Sequence, residues 1–428
     1  MAILTSLFSG VSGLNANGSA MSVIGNNIAN VNTVGFKSSR TTFADIISQS
    51  LGGGSASSQI GRGVFLSSVS PSFTQGSFET TSNALDLGVD GNGFFLVKNS
   101  SGQFYTRAGQ FTISKDGNVV NPEGFVVQGY QVDSAGTING VIDDINISAA
   151  TSAPRNTQNV TITANIDSRS TIPAAFSVST PTTTSNFSTA MTAYDSLGNG
   201  HLITVYFRKN QETVSGNTWQ WFAVVNSSDT MSGADEIQAS GTLVFDNAGA
   251  LSSETTSSSS FNFTGGASQG QNIAFEFGTS ITEGGTGLDG TTQFGSTSAT
   301  IFQSQDGYSS GALQGISINQ DGIISGLFTN GQTRVLGQVI LSIFNNPHGL
   351  TRLGKNLYAE SFESGQAIIG APSTGGRGRV LSNSLELSNV DLAEEFIKII
   401  TAQRGFEANS RTITTTDLLL GELVNIKR

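Results

Sequence analysis

No cysteine occurs in the 428 residues, which rules out a disulfide framework, a thiol nucleophile and a thiolate metal site. Only two histidines are present. His201 and His348 lie in the turn-like contexts LGNGHLI and NPHGL, far apart in the chain, and no HExxH, GxSxG or P-loop spacing accompanies them. Proline is scarce at seven residues, and charged residues make up only 12%. The longest apolar stretch outside the termini, around Val335 to Phe344, is too short and too polar to span a bilayer. The first Lys or Arg is Lys37, so the N-terminal apolar run lacks the basic region and the cleavage site of a secretory signal. The formal net charge of −11 falls almost entirely on the middle of the chain, which disfavours nucleic acid and anionic membrane as partners.

Chemistry-bearing patterns are thin. Gly91-Asn92-Gly93 is half of a glycine-rich loop, but FFLV follows it. That is a strand, where a phosphate cradle needs a helix N-terminus. Asp143 and Asp144 are neighbours on a predicted strand and point to opposite faces. No metal, cofactor or catalytic constellation emerges, so an enzyme is not expected.

What is abundant is glycine, 52 residues, together with serine, threonine and asparagine. This composition reads as turn-rich β-structure, and the helical signal is confined to the ends. At the C-terminus Leu392, Phe396, Ile399, Phe406, Ile413, Leu420 and Val424 recur at spacings of three, four and seven. Such a narrow stripe is the seam of a coiled coil rather than the wide face of a core helix. Gln403, Ser410 and Asp417 are polar slots in it, Gly405 interrupts it, and Ser388 with Asp391 resembles a capping box. Lys427 and Arg428 sit where the helix dipole favours cations. At the N-terminus Leu4, Leu7, Val11, Leu14, Met21, Ile24, Ile28 and Val31 form the answering stripe. Gly10, Gly13, Gly18 and Gly25 fall on the side read as polar. Each costs about 1 kcal/mol against alanine, so this helix needs a partner.

Between the helices the chain divides by composition. Residues 32–70, with GGGSASS at 52–58, and residues 370–388 read as linker or arm, and Phe43, Ile46 and Ile47 as a single helical turn. Residues 71–147 and 306–369 carry short alternating strands. Their turns hold Asp-Gly or Asp-Asn pairs, as in FTISKDGNVV and SINQDGIISG. Residues 148–305 shift to low charge and high Ser/Thr, with strands of their own in HLITVYF, TWQWFAVVN and GTLVFD. The expected fold class is mainly β with helical termini: a terminal coiled coil plus two β-rich domains, the second inserted into the first.

GLNANGSAMSVIGNNIANVNTVGFKSSR near the start and SNVDLAEEFIKIITAQRGFEANSRTITTTDLLL near the end resemble the paired terminal signatures of the bacterial flagellar axial proteins, the rod and hook family. LDLGVDGNGFFLV, FYTRAGQFTISKDGNVVN and GALQGISINQDGIISG extend the resemblance into the first β domain, and residues 148–305 match least. The resemblance implies a structural subunit that forms a helical homopolymer, with the terminal helices pairing along a central channel. It further implies export by the flagellar type III apparatus without a cleaved signal, and an extracellular place on the basal body. The partners implied are the distal rod, the hook cap and the hook–filament junction proteins. The long insert favours a curved, bendable joint over a rigid rod subunit. Composition alone leaves a secreted glycan-binding or glycan-active β-protein as the alternative of another class. If the low-charge outer domain permits sliding between subunits, removing residues 148–305 should leave tubes that are straight or stiffened.

Overall fold

The computed structural model describes residues 2–46, 49–50, 59–133, 136–147 and 151–426. Two helices bracket a chain that is otherwise β-structured: α1, Ala2–Ala29, and α2, Leu392–Ile426. Contacts divide the chain into two compact units, one of residues 1–150, 315–327 and 333–428, the other of residues 151–314 and 328–332. The second unit is therefore an insertion with one short return, and its limits differ by a few residues from those read from composition.

In the first unit an antiparallel path runs from Ile323–Phe328 through Thr333–Val339, Val126–Val132, Phe94–Asn99, Gly102–Thr106 and Leu357–Ala359 to Thr351–Gly354. The apolar run Phe94 to Val97 is buried at every residue, because this strand is covered on both faces. Its core gathers Phe94, Leu96, Tyr105, Ile340, Phe344, Leu350 and Tyr358. The rings meet edge-on, Tyr105 and Phe344 at 4.8 Å between centroids and Phe94 and Phe344 at 5.9 Å. Asp116-Gly117 turns one hairpin of this unit, with Gly117 at φ 80° and its N–H bonded to the Ser114 carbonyl. A left-handed residue there is what a tight two-strand connection requires.

Two stretches read as linker are strands. Ser39–Asp45 pairs with Val64–Pro71 in an antiparallel hairpin, so Phe43 lies on a strand and not on a helical turn. Local composition misled here, because Leu66, the partner that makes Phe43 extended, is 23 residues away. Ile47 and the GGGSASS segment lie outside the described residues. On the return, Arg379–Ser382 pairs with Leu87–Asp90, and Ser384–Glu386 pairs with Phe78–Thr80. Residues 379–386 are thus part of the β body.

The second unit is a two-layer sandwich. A five-stranded meander runs Phe187–Tyr194, Gly200–Thr213, Gly216–Val225, Glu236–Phe245 and Leu251–Ser259, each strand antiparallel to the next. The facing layer centres on Asn159–Asn165, parallel to Ala274–Glu276 and antiparallel to Ala299–Gln305. Period-two alternation drives Phe207, Trp219, Trp221, Leu243 and Phe245 inward against Ile162, Phe275 and Phe277. The serine-rich ETTSSSS segment belongs to the last meander strand and its neighbouring residue. There Thr255 and Thr242 share a hydroxyl–hydroxyl bond of 2.5 Å on the outer face.

Candidate assembly site

α1 and α2 run antiparallel along each other. A methyl group added at Gly10 would lie 3.0 Å from Ile413 Cγ1, and one at Gly13 would lie 2.7 Å from the Asn409 carboxamide. At Gly405 it would lie 2.8 Å from Asn17 Oδ1. Asn27 Nδ2 donates to Glu395 Oε2 at 3.2 Å. Residue numbers facing one another therefore sum to about 422 throughout. On α1 the inward residues are Gly10, Gly13, Asn17, Ala20, Ile24 and Asn27, with Ala16 buried beside them; on α2 they are Glu395, Ile399, Ala402, Phe406, Asn409, Ile413, Thr416 and Leu420. Both sets keep the alternating three-four spacing of a heptad seam.

The seam is not the one read from apolar spacing. On α1, Ile24 alone is common to the two readings. Leu7, Leu14, Met21, Ile28 and Val31 are half-buried flanks, and Leu4 and Val11 are exposed. On α2, Ile399, Phe406, Ile413 and Leu420 do lie inward, but Leu392 and Phe396 point out, Phe396 at 53% exposure. Gln403 and Asp417 are exposed too, and the polar seam slots are Glu395, Asn409 and Thr416. Volume is the reason: the small residues of α1 make room for Phe406 and Ile413 of α2, and where two backbones approach at glycine there is no room for a second large side chain, so the leucines of α1 are turned to the flanks and the outside. Gly10 and Gly13 are buried at the contact, whereas Gly18 and Gly25 face open space. The side chain of Val424, with Lys427 and Arg428, lies outside the described residues. At the start of α2 the cap is Asp391, whose Oδ1 accepts from the N–H groups of Ala393 at 2.8 Å and Glu394 at 3.2 Å. Ser388 bonds only as far as the Val390 N–H.

Where both helices join the β body, a buried ion triad holds the chain ends. Glu386 accepts from Lys37 Nζ at 2.5 Å on one oxygen and from Arg107 Nη1 at 3.2 Å on the other. Lys37 and Glu386 are 0% exposed and Arg107 is 4%. Backbone carbonyls of Thr74, Val89 and Gly91 accept from Lys37 Nζ, Arg107 Nη1 and Arg107 Nη2, Arg107 Nε is buried without a partner, and the guanidinium lies 5.4 Å from the Phe94 ring centre. Burial holds the Lys37 ammonium below its usual range, against the opposing pull of Glu386. Around the triad, Asn27 bonds the Ser39 backbone at both its N–H and its carbonyl, and Asn389 Oδ1 takes the Ser38 N–H. Gly35, at φ 70°, lies where a methyl group would be 2.6 Å from the Ala108 nitrogen. Sequence reading missed this triad. Its one visible trace is Lys37, the first charged residue of the chain, standing in an otherwise uncharged run.

The residues weighed for catalysis are not brought together. Asp143 bonds the N–H of its own neighbour, Asp144 accepts from Gln128 Nε2 at 2.5 Å, and His348 Nδ1 bonds the Pro71 carbonyl. His201 Nε2 bonds buried Asp195 at 3.0 Å inside the second unit. Among the described residues no group of three or more metal-ligating side chains is found, and no helix is long and apolar enough to cross a membrane.

The chain thus pairs its terminal helices and joins them through a buried triad to a β body into which a second β unit is inserted. Family models match in the same order. They are the flagella basal body rod protein over residues 7–37, the flagellar hook protein FlgE/F/G D1 domain over 88–165, the flagellar basal body protein FlaE D2 domain over 165–308, and the flagellar basal body rod FlgEFG protein C-terminal over 381–426. The flagellar hook protein FlgE of Borreliella burgdorferi is 37% identical over 99% of this chain and all of its own. That of Treponema pallidum is 35% identical over the full length of both chains, and that of Salmonella typhimurium 35% over 97% of this chain and 98% of its own. The crystal structure of the Helicobacter pylori flagellar hook protein FlgE2 covers 72% of this chain and all of that one, with a TM-score of 0.51 at 15% identity, and it shares the fold. The chain belongs to the flagellar hook protein family and is a structural subunit of the hook, a polymer of its own copies.

Proposed function

We propose that this subunit polymerises head-to-tail into a curved, bendable tube that passes torque from the rod to the filament. The observation that carries the reading is the apolar surface left on the outside of the helix pair. Leu4, Phe8 and Val11 on α1, and Leu392, Phe396, Ile397, Ile400, Leu418 and Leu419 on α2, are all exposed. A monomer gains nothing from exposing such a stripe, and identical helix pairs packed side by side would remove it from water. The exposed members of the two apolar stripes then serve contacts between copies, while the small residues serve the contact within one copy. The end partners are the distal rod, the hook cap and the hook–filament junction proteins. The route is the flagellar type III apparatus, to a place outside the cell.

Electron microscopy of the full-length protein beside a form lacking residues 1–31 and 389–428 tests this. Curved hollow tubes from the first and folded monomers from the second are expected. Straight tubes, or a full-length chain that stays monomeric in every condition, would overturn it.

A further inference from the structure

The helix contact contains the same five-residue pattern twice, once on each strand of the pair: Gly13-Leu-Asn-Ala-Asn17 on α1 and Gly405-Phe-Glu-Ala-Asn409 on α2. The antiparallel register sets the two copies against each other about a local two-fold. Asn17 Nδ2 donates to the Gly13 carbonyl at 2.8 Å, one turn back in its own helix, and the carboxamide so held covers Gly405. Asn409 Nδ2 donates to the Gly405 carbonyl at 2.9 Å, one turn back in its own helix, and its carboxamide covers Gly13. Each asparagine is fixed by the glycine of its own helix and fills the space left by the glycine of the other. Neither glycine accepts a methyl group: the nearest atoms would be 2.7 and 2.8 Å away, on carboxamides that their own bonds hold in place. Aliphatic packing can slide by a heptad at small cost, but such a slide sets Asn17 against Lys398 or Thr412, and Asn409 against Ala20 or Ser6, instead of glycine, and forfeits both fits at once.

We infer that this reciprocal Gly-x-x-Ala-Asn clasp is the specificity element by which the two ends of the chain recognise each other and fix their register. The inference rests on the terminal helices being the assembly element, and it names the residues that decide their pairing. The helices themselves would tolerate other pairings of the flanking leucines; the clasp admits one. Asn17 and Asn409 are half-buried, and a polar residue at a seam position that specifies register is a known device of coiled coils.

The cysteine-free chain allows a direct test. Ala20 and Ala402 are both buried in the seam and fall in the same register. In full-length protein carrying Ala20→Cys and Ala402→Cys, oxidation should link α1 to α2 in high yield. Adding Gly13→Asn should lower that yield at least tenfold, and combining Gly13→Asn with Asn409→Gly should restore it to within about threefold of the parent. The matching exchange at the other half, Asn17→Gly with Gly405→Asn, should behave alike. An exchange variant no better than its Gly→Asn single variant, or a Gly→Asn variant that links as well as the parent, would overturn the clasp. Failure of the parent chain to form curved tubes is read separately by microscopy. That result would count against the joint and leave the disulfide comparison intact.

Discussion

The inserted β unit and the terminal helix pair solve the same problem in opposite ways. In the sandwich, Trp219, Trp221, Phe207, Phe245, Phe261 and Phe263 are all fully buried, so that unit completes its own core from within one chain. In the helix pair α1 meets α2 largely through glycine, alanine and asparagine, and most of its large apolar side chains, Leu4, Phe8 and Val11 among them, are left exposed. Buried area supplies about 25 cal/mol per Å² of apolar surface, so a seam of small residues stabilises weakly whatever its fit. The sandwich buries its large apolar side chains; the helix pair keeps many of its own exposed.

The contrast can be broken most forcefully inside the sandwich. Trp221→Ala empties a fully buried site and should destabilise the inserted unit by about 3–5 kcal/mol. Urea unfolding followed by intrinsic fluorescence should show that transition shift, while oxidation of the same variant carrying Ala20→Cys and Ala402→Cys should still link the two helices in the parent's yield. Loss of both together would show that the two regions do not fold separately. Next in size is the junction. Glu386→Ala removes the acceptor shared by two buried cations and should cost about 3 kcal/mol or more in the first unit, because Lys37 and Arg107 are left uncompensated. Circular dichroism on heating should register it, and a change within error would mean that water reaches the site. Phe396→Ser, at an exposed position, should alter stability by no more than about 0.5 kcal/mol. It should nonetheless raise the concentration needed for polymerisation several-fold, as measured by sedimentation. Unchanged polymerisation would remove Phe396 from the contacts between copies.

A further effect expected is one of pH. Burial pushes the Glu254 carboxyl up to about 7, with Glu283 and Glu276 adding to the rise against the Phe277 N–H, which favours the carboxylate. Its folded-state value lies above its unfolded one, so the stability it contributes is complete below about pH 4.5 and is lost as the pH rises through 7. Melting curves of the inserted unit should therefore drop modestly across that window. Glu254→Gln should flatten the drop, and an equal slope in the variant would assign the pH dependence to other groups.

Much of this molecule is legible in its residues. Periodicity places helices at both ends. Turns fall at Asp116-Gly117, Asn247-Ala-Gly249 and Asp321-Gly322, where the glycines have φ near 80°, 83° and 74°. The inward alternation of TWQWFAVV is the sandwich core seen in one strand. The terminal signatures already resemble the family to which the chain belongs. These features depend on neighbours within about ten residues, and such neighbours are what a sequence displays.

The choice of helix face was not so displayed, because α1 carries two stripes at heptad spacing, one of large apolar residues and one of small residues. Spacing is blind to which of them a partner will meet. Tertiary structure decided for the small one, since closeness of the backbones excludes the large side chains. The Lys37–Glu386–Arg107 triad was equally hidden. Its members are separated by 349 and 279 residues, and nothing local to a lysine, a glutamate or an arginine tells that a fold will bury them together. Local pattern determined the elements; distance and volume in three dimensions determined which of their surfaces meet inside the chain and which stay exposed.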